Sequence, residues 1–218
     1  MVERYLHALQ LADAGEEAPE QTRERLKAQF PRNAVRRMTQ LGLLVGSVLH
    51  ELPLAESDAV VYASTYAETR ALEDYLASFP TPSPALFQTS IHPSAVEQAL
   101  IARTQPVRWF VPLSGGARLA RQALVTALLL PAARVVLVGG EERGTWLRER
   151  NLASERSFAF ACFLTAEPAG ALARLALETG EAPDAPADTA ALQAALRDRT
   201  PLTFPAAPGR RLQLDWLP

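Results

Sequence analysis

Three short apolar runs separated by helical patterns constrain the fold of this chain more than any other feature. The runs span residues 58–63, 107–112 and 134–138, and each has the length and the branched side chains of a buried strand. Segments with the spacing of amphipathic helices lie between them. Strands that alternate with helices of about 10 to 15 residues form parallel βαβ units with right-handed crossovers. The pattern therefore predicts an α/β domain in which helices flank a mixed sheet of five strands.

The remaining segments give a continuous series of predicted elements without an internal repeat. They are a short strand over 4–11, a polar surface loop with some helix over 13–29, a helix over 34–52 capped by Asn33, a helix over 67–78 capped by Ser64 and Thr65, a rigid proline-rich loop over 79–85, a helix over 94–103, a helix over 117–130, a strand over 158–165, a helix over 187–197 and a strand over 211–216. The side chains expected in the core include Val60, Val61, Val111, Val136, Leu137 and Phe160. We expect residues 1–218 to form one domain, since this length can bury a sizeable core.

Composition excludes several classes of protein. The single cysteine, Cys162, leaves no internal disulfide and no multi-cysteine metal site, and its apolar surroundings predict a buried residue of a strand. A net charge of −2, from 22 basic and 24 acidic side chains, gives no reason to expect a nucleic-acid partner. No apolar stretch approaches the roughly 18 residues of a membrane span, and the N-terminus lacks the pattern of a signal peptide. A cytoplasmic protein is the resulting expectation.

The turn after the second apolar run is the main candidate for chemistry. A strand leads through Leu113, Ser114, Gly115 and Gly116 into a predicted helix, and a side chain held at a helix N-terminus lies in a field that favours negative charge. Two interpretations are open: Ser114 is a helix cap with glycines that permit tight packing, or it is a nucleophile. Residues 112–116 read Pro-Leu-Ser-Gly-Gly, which does not match the Gly-x-Ser-x-Gly pattern, and no histidine is near in sequence.

The other polar motifs are less specific. The segment 139–142 reads Gly-Gly-Glu-Glu, lacks the nucleotide-binding patterns, and is interpreted as a strand end followed by a solvated turn that carries Glu141 and Glu142. None of the three histidines, His7, His50 and His92, has a partner at metal-ligand spacing, so no metal site is predicted. His92 follows the proline-rich loop, where it is either a structural histidine or a site residue.

Three stretches, in this order, resemble the β-ketoacyl synthases. Arg36–Gly46, followed at the usual interval by Val60–Thr65, is similar to the early helix and strand of that family. Pro84–Pro93 resembles its Pro-x-x-Phe-x-x-Ser-x-His-Asn segment. The strand 107–112, the turn and helix after it, and Val135–Glu142 resemble the nucleophile elbow and the Gly-Gly strand end beyond it. The resemblance implies one half of a thiolase-like fold, and it is nearest to the short synthase-like chain-length factors of aryl-polyene type gene clusters.

The departures from the family pattern bear directly on function. A condensing enzyme has cysteine at the elbow, where this sequence has Leu113 or Ser114, and Pro93 stands where the family often has asparagine. The likeness covers roughly residues 32–164, together with the tail near 215–216, and corresponds to the N-terminal half of a synthase. No residue here can take the role of the histidines, or histidine and asparagine, that the other half supplies. Independent condensation is therefore not expected, because covalent catalysis needs the nucleophile and its activating groups together.

The resemblance then implies a non-catalytic, chain-length-factor-like partner that pairs with a full-length ketosynthase and shapes the acyl tunnel in fatty-acid or polyketide-type biosynthesis. It places the elbow and acyl pocket at Leu113, Ser114, Gly115, Gly116, Ser90 and His92, and a dimer interface at Trp109, Phe110 and Val111. No cofactor is expected. The partner is a ketosynthase or a second copy of this chain, with an acyl carrier protein as a further candidate.

Two other functions are open on the sequence. Ser114 could act as the nucleophile of an acyltransferase or thioesterase if a distant histidine such as His92 folds beside it. The chain could also be a homodimeric scaffold without an acyl ligand. Because Trp109 and Phe110 point to opposite faces of a strand, we expect one of them in the core and the other available to a partner.

Overall fold

A single mixed sheet organises the computed structural model, which describes residues 2–218. The sheet has eight strands in the order β3-β2-β4-β5-β1-β6-β8-β7, so the expected α/β architecture is confirmed but the expected count of five strands is wrong. The strands are β1 Val2–Gly15, β2 Ala59–Ser64, β3 Trp109–Ser114, β4 Arg134–Glu141, β5 Ser157–Thr165, β6 Ala173–Thr179, β7 Leu202–Ala207 and β8 Arg210–Trp216. The helices are α1 Pro19–Leu26, α2 Arg32–Val35, α3 Gln40–His50, α4 Thr69–Ala77, α5 Pro84–Thr89, α6 Ser94–Ala102, α7 Leu119–Leu129 and α8 Thr189–Asp198, with short 3-10 turns at Lys27–Gln29 and Arg148–Arg150.

The parallel part of the sheet is the part that the sequence predicts. Strand β2 pairs in parallel with β3 on one side and with β4 on the other. The remaining pairs, from β4–β5 to β7–β8, are antiparallel. Strand β3 forms one edge of the sheet. The carboxyl ends of β2, β3 and β4 therefore lie together, and this end of the sheet holds the candidate site.

Helices cover both faces of the sheet. Side chains of α7 and α8 form one apolar cluster with one face, and side chains of α3 and α6 form a second cluster with the other face. Five of the six residues expected in the core, Val60, Val61, Val136, Leu137 and Phe160, are fully buried. Val111 is only half-buried, because it belongs to the edge strand β3.

The predicted helix over 34–52 is two helices instead of one. Helix α2 ends at Val35, and α3 begins at Gln40 after a break. The cap is Thr39, whose Oγ1 accepts a hydrogen bond from the Gly42 N–H at 2.9 Å, and not Asn33, which lies inside α2. The Thr39 hydroxyl satisfies a main-chain donor at the start of α3, so the break has a local cause.

Other helix and strand boundaries also differ from the predicted ones, because strand pairing in the folded protein extends beyond the local sequence pattern. Strand β1 continues to Gly15 because it pairs with β5 along most of its length, so the start of the predicted loop over 13–29 is strand. Helix α4 begins at Thr69 with no side-chain cap, so the expected caps Ser64 and Thr65 are wrong. The chain also has two strands that were not predicted, β6 and β7, both joined to β8. No helix within residues 2–218 is long and apolar enough to cross a membrane.

Candidate functional site

The elbow segment has a different geometry from the one the sequence predicts. Strand β3 continues through Leu113 and Ser114, and helix α7 begins only at Leu119, without a side-chain cap. Ser114 is therefore exposed at the end of a strand, and the interpretation as a helix cap is wrong. Its side chain makes no hydrogen bond within residues 2–218. A serine in this position lacks both the helix N-terminus and the partner that would activate its hydroxyl.

The two glycines of the turn are not required by packing. A Cβ added at Gly116 would meet no atom within 4 Å, and one at Gly115 would lie 3.7 Å from Gln122, an ordinary contact. Neither glycine has a positive φ angle. The expected role of these glycines in tight packing is therefore wrong, and the turn is open to solvent on the side of Gly116.

The register of the parallel pair places the side chains of the elbow. Ser114 lies beside Ser64 of β2, and Pro112 lies beside Tyr62. Because neighbouring residues of a parallel pair share a face, Ser114 is on the same face as Tyr62. Trp109 packs against the cluster under α7, and Phe110 packs against the cluster under α3.

Both aromatic residues of β3 are half-buried. The expectation that one of Trp109 and Phe110 would be in the core and the other free is therefore wrong. The Arg108 guanidinium also lies over the Trp109 ring, 4.7 Å from its centroid. An edge strand covered on both faces still leaves its outer main-chain groups without a strand partner.

His92 is held by a buried carboxylate. The pair joins His92 Nδ1 to Glu68 Oε2 at 3.0 Å, and Glu68 Oε1 accepts a hydrogen bond from the Ala95 N–H at 3.1 Å. The His92 ring stacks on the Tyr62 ring at a centroid distance of 5.0 Å. The structure thus brings His92 to the face that Ser114 shares, but within residues 2–218 no hydrogen bond joins the two side chains.

Tyr62 and His92 leave two polar atoms shielded from water. Within residues 2–218, neither the Tyr62 hydroxyl nor the His92 Nε2 has a hydrogen-bond partner of good geometry. Burial, with smaller contributions from Glu68 and Glu141, raises the pKa of Tyr62 well above its ordinary value, and the nearby Ser64 hydroxyl opposes this only weakly. Tyr62 therefore stays neutral at physiological pH and cannot serve as a base for Ser114.

Ser90, the other residue predicted for the pocket, has a local role. Its N–H donates to the main-chain oxygen of Leu86 at 3.1 Å, and its hydroxyl donates to the main-chain oxygen of Phe87 at 2.8 Å. These bonds close the last turn of α5. The structure therefore engages Ser90 in ending a helix.

The acidic pair after β4 is buried, which corrects the predicted solvated turn. Glu141 is 1% exposed and Glu142 is 6% exposed. The reason is that β4 continues through Glu141, which pairs with Phe158 of β5, in the middle of the sheet. Burial raises the pKa of each carboxyl group to about 7.

Glu141 organises the carboxyl ends of the parallel strands. Its carboxylate accepts hydrogen bonds from the Thr65 N–H at 2.6 Å, the Tyr66 N–H at 3.2 Å and the Ser64 hydroxyl at 3.1 Å. The Thr65 hydroxyl in turn accepts a hydrogen bond from the Thr189 N–H at 3.0 Å, which ties the start of α8 to the same turn. An open cleft of about 570 Å³, lined by this turn together with Gly116, lies beside the elbow.

Comparisons with known proteins bear on the fold. No protein-family model and no curated protein sequence matches the chain. Among solved structures, a chain of the ketosynthase (ApeO) in complex with its chain length factor (ApeC) from Xenorhabdus doucetiae has a TM-score of 0.66 at 19% identity, covering 99% of this chain and 100% of that chain. A chain of the ishigamide ketosynthase/chain length factor has a TM-score of 0.57 at 13% identity, covering 84% and 69%.

A third match agrees with these two. A β-ketoacyl synthase from Burkholderia phymatum STM815 has a TM-score of 0.53 at 15% identity, covering 84% of this chain and 66% of that chain. At such identities the likeness concerns the fold. The expected resemblance is thereby confirmed for the fold. The chain has the thiolase-like α/β fold of these three structures, two of which contain a ketosynthase and a chain length factor.

Proposed function

We propose that this chain is a non-catalytic, chain-length-factor-like partner that pairs with a full-length ketosynthase and shapes the acyl tunnel in fatty-acid or polyketide-type biosynthesis. The observation that carries the proposal is an elbow without a usable nucleophile on a thiolase-like fold. The elbow has Leu113 and Ser114 where a condensing enzyme has cysteine. The one cysteine, Cys162, is buried in β5, and burial raises the pKa of its thiol to about 12.

The arrangement around Ser114 argues against an acyl-enzyme. Glu68 pairs with His92 Nδ1, as the carboxylate of a catalytic triad does, but the His92 Nε2 that would have to take the proton makes no hydrogen bond to Ser114. Ser114 also lies at the end of a strand, before the turn that leads to α7. A serine hydroxyl is far less acidic than a thiol, so without a base it remains protonated and is a poor nucleophile at neutral pH.

The edge strand β3 supports pairing with another chain. An edge strand presents unpaired N–H and C=O groups, which can bind a second strand. Trp109, Phe110 and Val111 lie on this strand and are the residues proposed for the interface. The similar structure from Xenorhabdus doucetiae is a ketosynthase in complex with its chain length factor. We propose the same kind of pairing here, with a homodimer as the assembly formed when no ketosynthase is present.

Two finer parts of the proposal concern location and the acyl supply. The chain would act in the cytoplasm, on acyl groups that an acyl carrier protein delivers to the paired ketosynthase. The pocket that limits the acyl chain would be built from the elbow, Leu113 to Gly116, with Ser90 and His92 on the adjoining segment. Of these residues, Gly116 lines the cleft beside the turn.

Pairing is tested by sedimentation and by co-purification with a candidate partner ketosynthase. Pro112 is exposed on β3, so Pro112→Asp adds a charge at the edge while the core stays intact. The matched control is Ala207→Asp, at an exposed position on β7 at the opposite edge of the sheet. We expect the wild type and the control to form the complex and Pro112→Asp to lose it. A monomer at high concentration that forms no complex with the synthase would contradict the proposal.

The alternative function is tested by acyl transfer. The purified chain is incubated with acyl carrier protein and coenzyme A thioesters, and its mass is measured. We expect no acyl adduct. An adduct that Ser114→Ala abolishes would overturn the non-catalytic proposal in favour of an acyltransferase or thioesterase.

A further inference from the structure

A cleft on the side of the molecule formed by α1, α4 and α5 is lined by four arginines. It has a volume of about 610 Å³, and Arg23, Arg36, Arg37 and Arg70 contribute to its wall. We call it the arginine cleft. It is separate from the cleft beside the elbow, with which it shares no lining residue.

Within residues 2–218, three of the four guanidinium groups have no acidic partner. Arg70 is paired with Glu73 and Asp74. Within residues 2–218, Arg36 and Arg37 form no ion pair, and both are exposed at the rim. Among the same residues, the one polar contact of Arg23 is a long one with the main-chain oxygen of Met38, at 3.5 Å, and its Nε is shielded from water without a hydrogen-bond partner. A buried donor left without an acceptor is costly unless a bound group satisfies it.

The floor of the cleft holds the buried Glu142 beside the first turn of α3. The N–H groups there already have acceptors: that of Thr39 donates to Gln98, that of Leu41 to Glu142 at 3.4 Å, and that of Gly42 to Thr39. Glu142 is buried and forms no ion pair within residues 2–218, and burial raises its pKa to about 7. Near neutral pH this carboxyl is therefore partly protonated and is a weak competitor for an incoming anion. The other acidic groups that face the cleft are Glu20 and Asp74.

We infer that the arginine cleft binds a phosphate group. A phosphate group is anionic and offers several acceptor oxygens, which match the planar donors of guanidinium groups. Two sources carry such a group: coenzyme A, which has a diphosphate and a 3′-phosphate, and the phosphopantetheine arm of an acyl carrier protein, which has a phosphodiester with a single negative charge. The phosphate site follows from the geometry alone, whereas the identification of these two sources depends on the proposed function.

The experiment measures binding of inorganic pyrophosphate to the isolated chain by calorimetry at low ionic strength. We expect saturable binding at one site, weakened about tenfold or more by Arg36→Ala or Arg37→Ala, because each removes a charge-assisted contact. Arg150→Ala is the matched control, since Arg150 is exposed and does not line this cleft. No saturable binding, or an equal loss in the control, would overturn the inference.

A second variant tests the floor of the cleft. Glu142→Gln removes the negative charge while keeping the shape, so it should bind pyrophosphate more tightly than the wild type at pH 8 and about equally at pH 5.5. Equal affinities of the variant and the wild type at both pH values would contradict the placement of the anion beside Glu142.

The last arm separates the sources. Coenzyme A that binds with the same arginine dependence identifies a free cofactor, and a phosphopantetheinylated carrier protein that binds more tightly than its unmodified form identifies the carrier arm. Failure of both, with pyrophosphate still bound, would contradict the two sources but leave the phosphate site intact. None of these binding measurements requires a ketosynthase. A failure of the proposed pairing with a ketosynthase can therefore be distinguished from a failure of phosphate binding.

Discussion

Replacement of the buried Glu142 by glutamine should stabilise the protein at alkaline pH. Burial raises the pKa of this carboxyl from 4.5 to about 7 in the folded protein. The unfolded chain therefore loses the proton at a lower pH than the folded protein does, and stability falls as the pH rises from about 4.5 through about 7. A difference of about 2.5 between the two pKa values corresponds to about 3 kcal/mol once the pH is above 8. Glu142→Gln removes this loss, because its side chain stays neutral and can still accept from the Leu41 N–H.

The assay is urea denaturation followed by tryptophan fluorescence at pH 5 and pH 8. The measured quantity is the difference in free energy of unfolding between variant and wild type, which should grow by about 2 to 3 kcal/mol between the two pH values. Glu56→Gln, the same change at an exposed position, should show no such growth. If Glu142→Gln gains no stability over the wild type between pH 5 and pH 8, the burial of an uncompensated carboxyl at this position is refuted.

Three further predictions concern the core. Arg4→Met should lower the free energy of unfolding by about 3 kcal/mol or more, because the buried Arg4 guanidinium donates to main-chain oxygens at the end of α7 and on β5. In the same denaturation assay, Arg4→Lys should recover only part of this loss. Gly139→Ala should lower the free energy of unfolding by at least about 2 kcal/mol, because the new Cβ would lie 2.4 Å from the Phe160 ring and 2.9 Å from a main-chain oxygen of β2. Gly116→Ala is the control and should be nearly neutral, because its new Cβ would meet no atom within 4 Å. Cys162 should resist iodoacetamide at pH 8 in the folded protein and react after denaturation, as read by mass spectrometry; rapid labelling of the folded protein would contradict its burial and a thiol pKa of about 12.

The parallel core of the fold could be predicted because its strands are apolar on both faces. Val60, Val61, Val136 and Leu137 are fully buried between helices, so their runs stand out in the sequence without any alternation. Strands β6 and β7 could not be found in the same way. They carry charged residues or proline on partly exposed faces, and Pro205 is tolerated in β7 because that strand is the edge of the sheet.

The break between α2 and α3 shows a limit of periodicity. Helical spacing of apolar residues continues across residues 36–39, so the pattern alone predicts one long helix. Only the capping geometry of Thr39 reveals where the second helix begins. Thr39 is itself an ordinary capping residue, and it could have been identified as a competitor of Asn33.

The sequence singled out candidate site residues, but it could not predict their contacts. It indicated the elbow and His92, and in the structure His92 and Ser114 lie on the same face of the sheet. The contact between His92 and Glu68 joins residues 24 positions apart, and no spacing rule for one helix or strand links them. The burial of Glu141 depends on the pairing of β4 with β5, which local sequence does not encode. The one sequence feature that could have indicated this burial is the position of a carboxylate directly after an apolar strand.

Product length in a reconstituted system tests the central claim most directly. The partner ketosynthase is co-expressed with this chain, and the acyl products are measured by mass spectrometry for the wild type, for Phe110→Ala and Leu113→Ala, and for the exposed control Leu129→Ala. The account predicts that the two elbow-strand variants change the chain length of the products while the synthase stays active, and that the control does not. Products of unchanged length with every variant, or when this chain is left out, would contradict a role in shaping the acyl tunnel.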